Sequence, residues 1–175
     1  MQLFAHCLMP THWHLVLFPK DDGDLSGFMH WLTVTHAVRW HLHHGTTGTG
    51  HLYQNRFKAF PVETETYFLT LCRYVERNPV RANLVTCAEH WRWSSLWWRN
   101  RAGTAACNWL SEWPVERPLN WIDFVNEPLT GAELAAVRRS VVHGAPYGSP
   151  TWQTAIAQQL GLEHTLRPAG RTRRA

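Results

Sequence analysis

The chain lacks any hydrophobic run that approaches the roughly 20 residues needed to cross a bilayer. It begins Met-Gln-Leu-Phe-Ala-His-Cys, without the basic residues and apolar stretch of a secretory signal. Its four cysteines show no CxxC spacing, which disfavours a zinc finger. They are Cys7, Cys72, Cys87 and Cys107. These absences predict a cytoplasmic protein with reduced thiols and no membrane partner.

Lysine is also scarce, because 15 of the 17 basic residues are Arg, against 13 acidic residues. Arg binds phosphate through two parallel hydrogen bonds and stacks on flat rings, whereas Lys acts as a point charge. The 175 residues include 11 Trp and 12 His, and 45% of them are hydrophobic. This content predicts a folded core, and the combination of Arg with aromatic residues is typical of proteins that bind single-stranded nucleic acid.

The N-terminal part of the chain predicts a hairpin followed by a helix. Residues 2–8 and 12–18 are short apolar runs separated by Met-Pro-Thr, a pattern that indicates a β-hairpin or a kinked strand. We expect Asp24 to cap a helix whose apolar residues recur near a period of 3.6, and Gly45 to end it.

Local signals predict further elements along the rest of the chain. Residues 51–60 are interpreted as a third strand, and Thr64 as the cap of a second helix that Pro79 terminates. Two more helices are expected over 131–142 and 150–160. The fold class is therefore α+β, with a mostly helical C-terminal extension.

Two pairs of residues carry the chemistry that the sequence suggests. His12 and His14 lie on one face of a predicted strand, because side chains alternate along strands, and could bind one divalent metal. Tyr74 and Asn78 lie four residues apart on a predicted helix and share a face. The alternative interpretations are partly exposed strand histidines, a core tyrosine and an Asn-Pro helix stop.

The order of several motifs points to a family. The motifs are Cys-Leu-Met-Pro-Thr-His-Trp-His-Leu-Val-Leu (7–17), Gly-His-Leu-Tyr-Gln-Asn-Arg-Phe-Lys (50–58), Arg-Tyr-Val-Glu-Arg-Asn-Pro-Val-Arg-Ala (73–82), Trp-Ser-Ser (93–95), His-Gly-Ala-Pro-Tyr-Gly (143–148) and Leu-Arg-Pro-Ala-Gly-Arg (166–171). In this set the chain resembles the REP-associated tyrosine transposases, a branch of the HUH single-strand transposases.

The resemblance implies a role for each residue of the two pairs. His12, His14 and Asn78 would bind Mg²⁺ or Mn²⁺, and Tyr74 would attack DNA to form a 5′-phosphotyrosine. The implied substrate is single-stranded DNA with REP-type hairpins, and the enzyme would be a monomer or a dimer. A metal at this position would polarise a phosphate oxygen and so assist a weak nucleophile.

The resemblance also implies a fold and a domain division. We expect a ferredoxin-like antiparallel sheet with helices packed on one face, without the strand and helix that family members carry before the His pair. Residues 1–98 would form the catalytic domain, and residues 99–175 a helical extension with an Arg-rich tail.

Five basic residues are candidates for contacts with DNA phosphates, with a solvated surface charge as the alternative for each. They are Arg56, Lys58, Arg73, Arg77 and Arg81. Six tryptophans are candidates for stacking on bases. They are Trp31, Trp40, Trp91, Trp93, Trp97 and Trp98.

Two other functions stay open at this point. The chain could be a catalytically inactive remnant that still binds single-stranded DNA hairpins. It could also be a zinc hydrolase that uses His12, His14 and a third histidine, although no water-activating Glu lies nearby in the sequence.

Overall fold

The structure is a computed structural model that describes residues 1–102 and 108–167. Cys107 and the tail beyond Arg167 lie outside the described residues. The strands are β1 (Gln2–Leu8) and β2 (Trp13–Phe18). The helices are α1 (Asp24–His44), α2 (Thr66–Glu76), α3 (Asn78–Arg81), α4 (Ser95–Ala102), α5 (Trp121–Asn126), α6 (Gly131–His143), α7 (Pro150–Leu160) and α8 (Glu163–Leu166), with a 3₁₀ turn at Ala88–His90. The α+β class is confirmed.

The predicted hairpin is confirmed as an antiparallel pair of strands. Cys7 lies opposite His14, and Ala5 lies opposite Val16, so these four side chains share one face of the sheet. The register shifts once, between Leu3 and Ala5. The hairpin therefore directs His14 toward the same side as the buried Val16.

The outer edge of β1 is covered by residues from later in the chain. The His6 N–H donates to Ser95 Oγ at 3.0 Å, and the Leu8 N–H donates to the Trp93 carbonyl at 2.9 Å. Donors from residues 111–113 bind carbonyls nearer the start of the strand. These bonds satisfy backbone groups that an open sheet edge would leave unpaired.

The core forms where α2 packs against the hairpin. Four buried side chains of α2 face inward, at Phe68, Leu71, Cys72 and Val75. The same hydrophobic cluster contains Trp121, Val125, Val137 and Tyr147. The core thus crosses position 98, where the sequence predicts a domain boundary.

Glu76 is a fully buried carboxyl group in the middle of this core. Its Oε2 accepts a hydrogen bond from Trp121 Nε1 at 2.7 Å, and its Oε1 lies 2.5 Å from the Ser95 hydroxyl. Ser95 also lies 3.2 Å from the His6 carbonyl, and one hydroxyl proton cannot serve both acceptors. A protonated Glu76 would satisfy both contacts, which agrees with the burial that raises the pKa of Glu76.

Two predicted helix caps are wrong, although both helices exist. Gly23 precedes α1 with φ 84°, while the Asp24 carboxylate accepts the N–H groups of Lys20 and Asp21. Glu65 precedes α2, without a side-chain cap. At both helix starts the preceding residue has a positive φ and no side-chain capping hydrogen bond forms, although the residue types suggest one.

The predicted strand over residues 51–60 is wrong. These residues carry no strand and lie largely exposed beside α1. A strand needs a neighbouring edge, and Trp93, Ser95, Ser111 and Trp113 already form hydrogen bonds with the outer edge of β1. The sheet of the described residues contains only β1 and β2, so the ferredoxin-like arrangement is not confirmed.

The helix α1 is long but contributes little to the core. It ends at Gly45 as predicted, and Met29 is its buried residue. With residues 47–57 it borders an open groove of about 770 Å³. No described helix has the length and apolar character to span a bilayer.

The extension is helical as predicted, with α6 and α7 close to the expected bounds. A capping box between Thr130 and Glu133 starts α6. The segment after α6 returns to residues 61–63, where the Glu63 carboxylate accepts the Ser149 N–H at 2.6 Å. Gly148 has no space for a side chain, because a Cβ would lie 2.5 Å from the Trp152 ring.

We expect the stability of the protein to fall as the pH rises through the elevated pKa of Glu76. A carboxyl group with a higher pKa in the folded state binds its proton more tightly there, so its stabilising effect is present at low pH and lost on ionisation. In Glu76→Gln the amide donates to Ser95 and accepts from Trp121, as the protonated acid does. This variant should lack the loss of stability with rising pH that Glu76 contributes above the ordinary pKa of a carboxyl group.

Urea unfolding followed by tryptophan fluorescence measures this effect. Glu76→Ala serves as the comparison and should lose about 3 kcal/mol, because it leaves buried polar partners and a cavity. An equal pH dependence in the wild type and Glu76→Gln would contradict the assignment.

Candidate active site

The two histidines of the predicted pair lie side by side at the start of β2. Their ring centroids are 5.1 Å apart. The Nε2 atom of His14 is buried and has no hydrogen-bond partner among the described residues. Burial, followed by the charges of His12 and Arg81, lowers the pKa of His14 to about 4. His14 is therefore neutral at physiological pH, which is the form that binds metals.

Tyr74 reaches this pair from α2. Its ring is 5% exposed and meets the His14 ring edge to face, with centroids 5.9 Å apart. The helix holds Tyr74 here because the two residues that follow it, Val75 and Glu76, are buried in the core. The structure thus brings His12, His14 and Tyr74 into one cluster.

Asn78 joins the cluster through Arg81 rather than through the histidines. The Asn78 side chain is 2% exposed, and its Nδ2 donates to the Tyr74 carbonyl at 3.2 Å. Arg81 Nη2 donates to Asn78 Oδ1 and to the Tyr74 hydroxyl, the latter at 3.2 Å. The Arg81 guanidinium also lies 4.3 Å from the centre of the Tyr74 ring. The sequence predicts Arg81 only as a DNA contact, although its spacing of three residues from Asn78 indicates that the two side chains are neighbours on a helix.

The donor set at this site is suited to a divalent cation. The unpartnered Nε2 of His14 and the neighbouring imidazole of His12 offer two nitrogens, and Asn78 Oδ1 offers an oxygen. Such a mixed set is compatible with Mn²⁺, and with Mg²⁺ through its oxygen and water ligands. Within residues 1–102 and 108–167, no three side chains from His, Cys, Asp and Glu cluster as a metal site. The zinc hydrolase interpretation therefore gains no third ligand in this part of the chain.

Arg73 and Arg77 donate hydrogen bonds to backbone carbonyl groups of the protein. Arg73 is 5% exposed and donates to the carbonyls of Glu127 and Pro128, each at 3.0 Å. Arg77 donates to the carbonyl groups of Val125 and Asn126. Both guanidinium groups hold the C-terminal end of α5, where exposed carbonyls favour a cation. We therefore leave both residues out of the proposed DNA surface.

Arg56 and Lys58 are exposed, as a phosphate contact requires. Arg56 also lines the groove beside α1. A smaller cavity of about 140 Å³ is lined by Tyr74, Arg77 and Arg81 on α2 and α3 and by Pro128, Leu129 and Leu134. Cationic side chains therefore border both the groove and the tyrosine.

The tryptophans named as possible stacking platforms differ in exposure. Trp91 donates to the Leu8 carbonyl at 2.9 Å and so supports the sheet edge. The side chains with large exposed surface are Trp31, Trp40, Trp93 and Trp98. Trp97 is half-buried and packs edge to face on Trp98.

Residues 1–78 match the family model described as Transposase IS200 like. The matched segment includes His12, His14, Tyr74 and Asn78, whereas Arg81 and the helices from α4 onward follow it. No curated protein and no solved structure shows a significant match to the chain. Residues 1–78 of the chain are therefore similar to the IS200-like transposases.

Proposed function

We propose that the protein cleaves and rejoins single-stranded DNA, with Tyr74 as the nucleophile. The observation that carries this proposal is the contact of the Tyr74 ring with His14, whose Nε2 is buried and unpartnered. The family of the matched segment supports a transposase function.

The proposed reaction exchanges one phosphate ester for another. The Tyr74 oxygen forms a bond to phosphorus while the bond between phosphorus and the 3′-oxygen breaks. The phenolic proton passes to water, and the leaving 3′-oxygen takes up a proton from water. The products are a 5′-phosphotyrosine and a free 3′-hydroxyl, and attack by a 3′-hydroxyl on that phosphotyrosine rejoins the strand without ATP.

We assign His12, His14 and Asn78 as the residues that would hold Mg²⁺ or Mn²⁺. The ion, when bound, polarises a non-bridging phosphate oxygen as a Lewis acid. The protein contributes a neutral His14, because burial and neighbouring positive charge lower its pKa to about 4. Protonation therefore does not compete for this ligand near neutral pH.

Exposed Arg56, Lys58 and Arg81 are proposed to bind the phosphates of the substrate. Trp93 and Trp98 present exposed indole rings on which unpaired bases can stack. We propose single-stranded DNA with REP-type hairpins as the substrate, on the strength of the ordered motifs in the sequence.

A catalytically inactive hairpin-binding protein is the second candidate function. The observation that favours it is that Arg81 engages both the Tyr74 hydroxyl and Asn78 Oδ1. If this arrangement never opens, the basic and aromatic surface still binds DNA while the tyrosine stays inert.

Tyr74→Phe should abolish covalent adduct formation with a labelled single-stranded oligonucleotide that carries a REP-type hairpin. The variant keeps the ring and its packing, so the free energy of unfolding should change by only about 1 kcal/mol, for one lost hydrogen bond. The affinity for the oligonucleotide should stay within about twofold, because its charge is unchanged. A denaturing gel run with Mg²⁺, Mn²⁺ and chelator measures the adduct.

Tyr67→Phe is the matched control, since Tyr67 lies on the same helix and packs against Tyr147. It should keep wild-type adduct formation. An adduct in Tyr74→Phe would exclude Tyr74 as the nucleophile, and no adduct in the wild type with either metal would favour the inactive hairpin-binding protein.

Arg56→Ala and Lys58→Ala should each flatten the salt dependence of oligonucleotide binding. When a variant neutralises one phosphate fewer, the slope of log affinity against log salt concentration falls by about 0.7 for a single strand. Arg138→Ala is the control, because it removes the same charge from an exposed position on α6. Fluorescence anisotropy over a salt series gives the slopes. Equal slopes in all three variants would show that Arg56 and Lys58 are solvated surface charges that do not contact phosphates.

A further inference from the structure

We propose that Arg81 is a latch, which holds Tyr74 and Asn78 in a closed arrangement until a substrate phosphate draws its guanidinium away. This inference rests on the proposed function and adds a regulatory step to the same site. It assigns Arg81 as a positioning residue that controls when the nucleophile and the third metal ligand become free.

The latch is visible in the contacts of one nitrogen atom. Arg81 Nη2 donates to the Tyr74 hydroxyl at 3.2 Å and also to Asn78 Oδ1. The guanidinium lies 4.3 Å from the centre of the Tyr74 ring. One cation thus occupies the two oxygen atoms that the proposed reaction requires.

The closed arrangement opposes metal binding. Asn78 Nδ2 is engaged with the Tyr74 carbonyl, so the amide can turn its oxygen elsewhere only by losing that bond. A cation bonded to Oδ1 repels a second cation that approaches the same atom. In this arrangement His14 Nε2 has no hydrogen-bond partner among the described residues, while His12 Nδ1 lies 3.3 Å from the Thr11 hydroxyl.

A phosphodiester is a better partner for Arg81 than its present ones. Its two hydrogen bonds go to neutral oxygens, and among the described residues no carboxylate forms an ion pair with it. Arg binds phosphate through charge-assisted bonds that are roughly twice as strong as those to neutral acceptors. Exchange of partners is therefore favourable once DNA arrives.

The location of Arg81 allows this exchange without unfolding the site. Arg81 is exposed at the end of α3, whereas Pro79 and Asn78 are buried at its start. Asn83 then adopts a positive φ of 55°, which ends the helical segment. Rotation of one exposed side chain is enough to release both oxygens.

The test is Mn²⁺ binding to the full chain in the absence of DNA, measured by calorimetry and electron paramagnetic resonance. Arg81→Met keeps the length of the side chain and removes the cation. It should bind Mn²⁺ about tenfold more tightly than the wild type, while its KM for the REP-type oligonucleotide rises about tenfold. A purely structural role would weaken metal binding and DNA cleavage together.

Arg138→Met is the matched control, because Arg138 is an exposed cation on α6 and is not among the residues proposed to bind DNA. It should leave Mn²⁺ affinity and KM within about twofold. Arg81→Lys keeps a charge without the planar fork, so both effects should be smaller and in the same directions. This variant serves as the test if circular dichroism shows that Arg81→Met does not fold.

The outcomes separate the latch from the proposed function. Adduct formation by the wild type with equal or weaker Mn²⁺ binding in the Arg81 variants would overturn the latch alone. A wild type that forms no adduct with Mg²⁺ or Mn²⁺ would overturn the proposed function, whatever the metal titrations show.

Discussion

The buried carboxyl group of Glu76 is the contact on which the rest of the site depends. It joins α2 to α5 through Trp121 and to the edge of β1 through Ser95. Tyr74 lies two residues earlier on the same helix, so the hydrogen bonds that fix Glu76 also fix the direction of the tyrosine. The extension thereby takes part in the geometry of the site, although it follows the segment that matches the transposase family.

Three arginines in this stretch have different roles, which depend on how far each side chain is buried. Arg73 and Arg77 bind carbonyl groups at the end of α5 and so hold the extension against α2. Arg81 follows at the same spacing of four but lies exposed at the site. Positive charge in this stretch therefore serves both the packing of the fold and the proposed chemistry.

Patterns within short stretches of sequence predicted the strands and helices whose formation depends on neighbouring residues. Strands β1 and β2 and helix α6 follow from alternation, periodicity and breakers, and all three formed. The strand expected over residues 51–60 failed because strand formation depends on a distant partner, which no local pattern specifies. The same reason explains why the role of Glu76 was missed, since its partner Trp121 lies 45 residues away. Helical spacing did identify Tyr74 and Asn78 as neighbours, but it could not show that Arg81 lies between their oxygens.

The central claim is that DNA becomes covalently joined to Tyr74, and peptide mass spectrometry of the trapped adduct tests it most directly. Trypsin cuts after Arg73 and Arg77, which places Tyr74 alone with Val75, Glu76 and Arg77 in a short peptide. We expect this peptide to carry the nucleotide through a phosphotyrosine bond. A nucleotide on the preceding peptide, which contains Tyr67, would contradict the account.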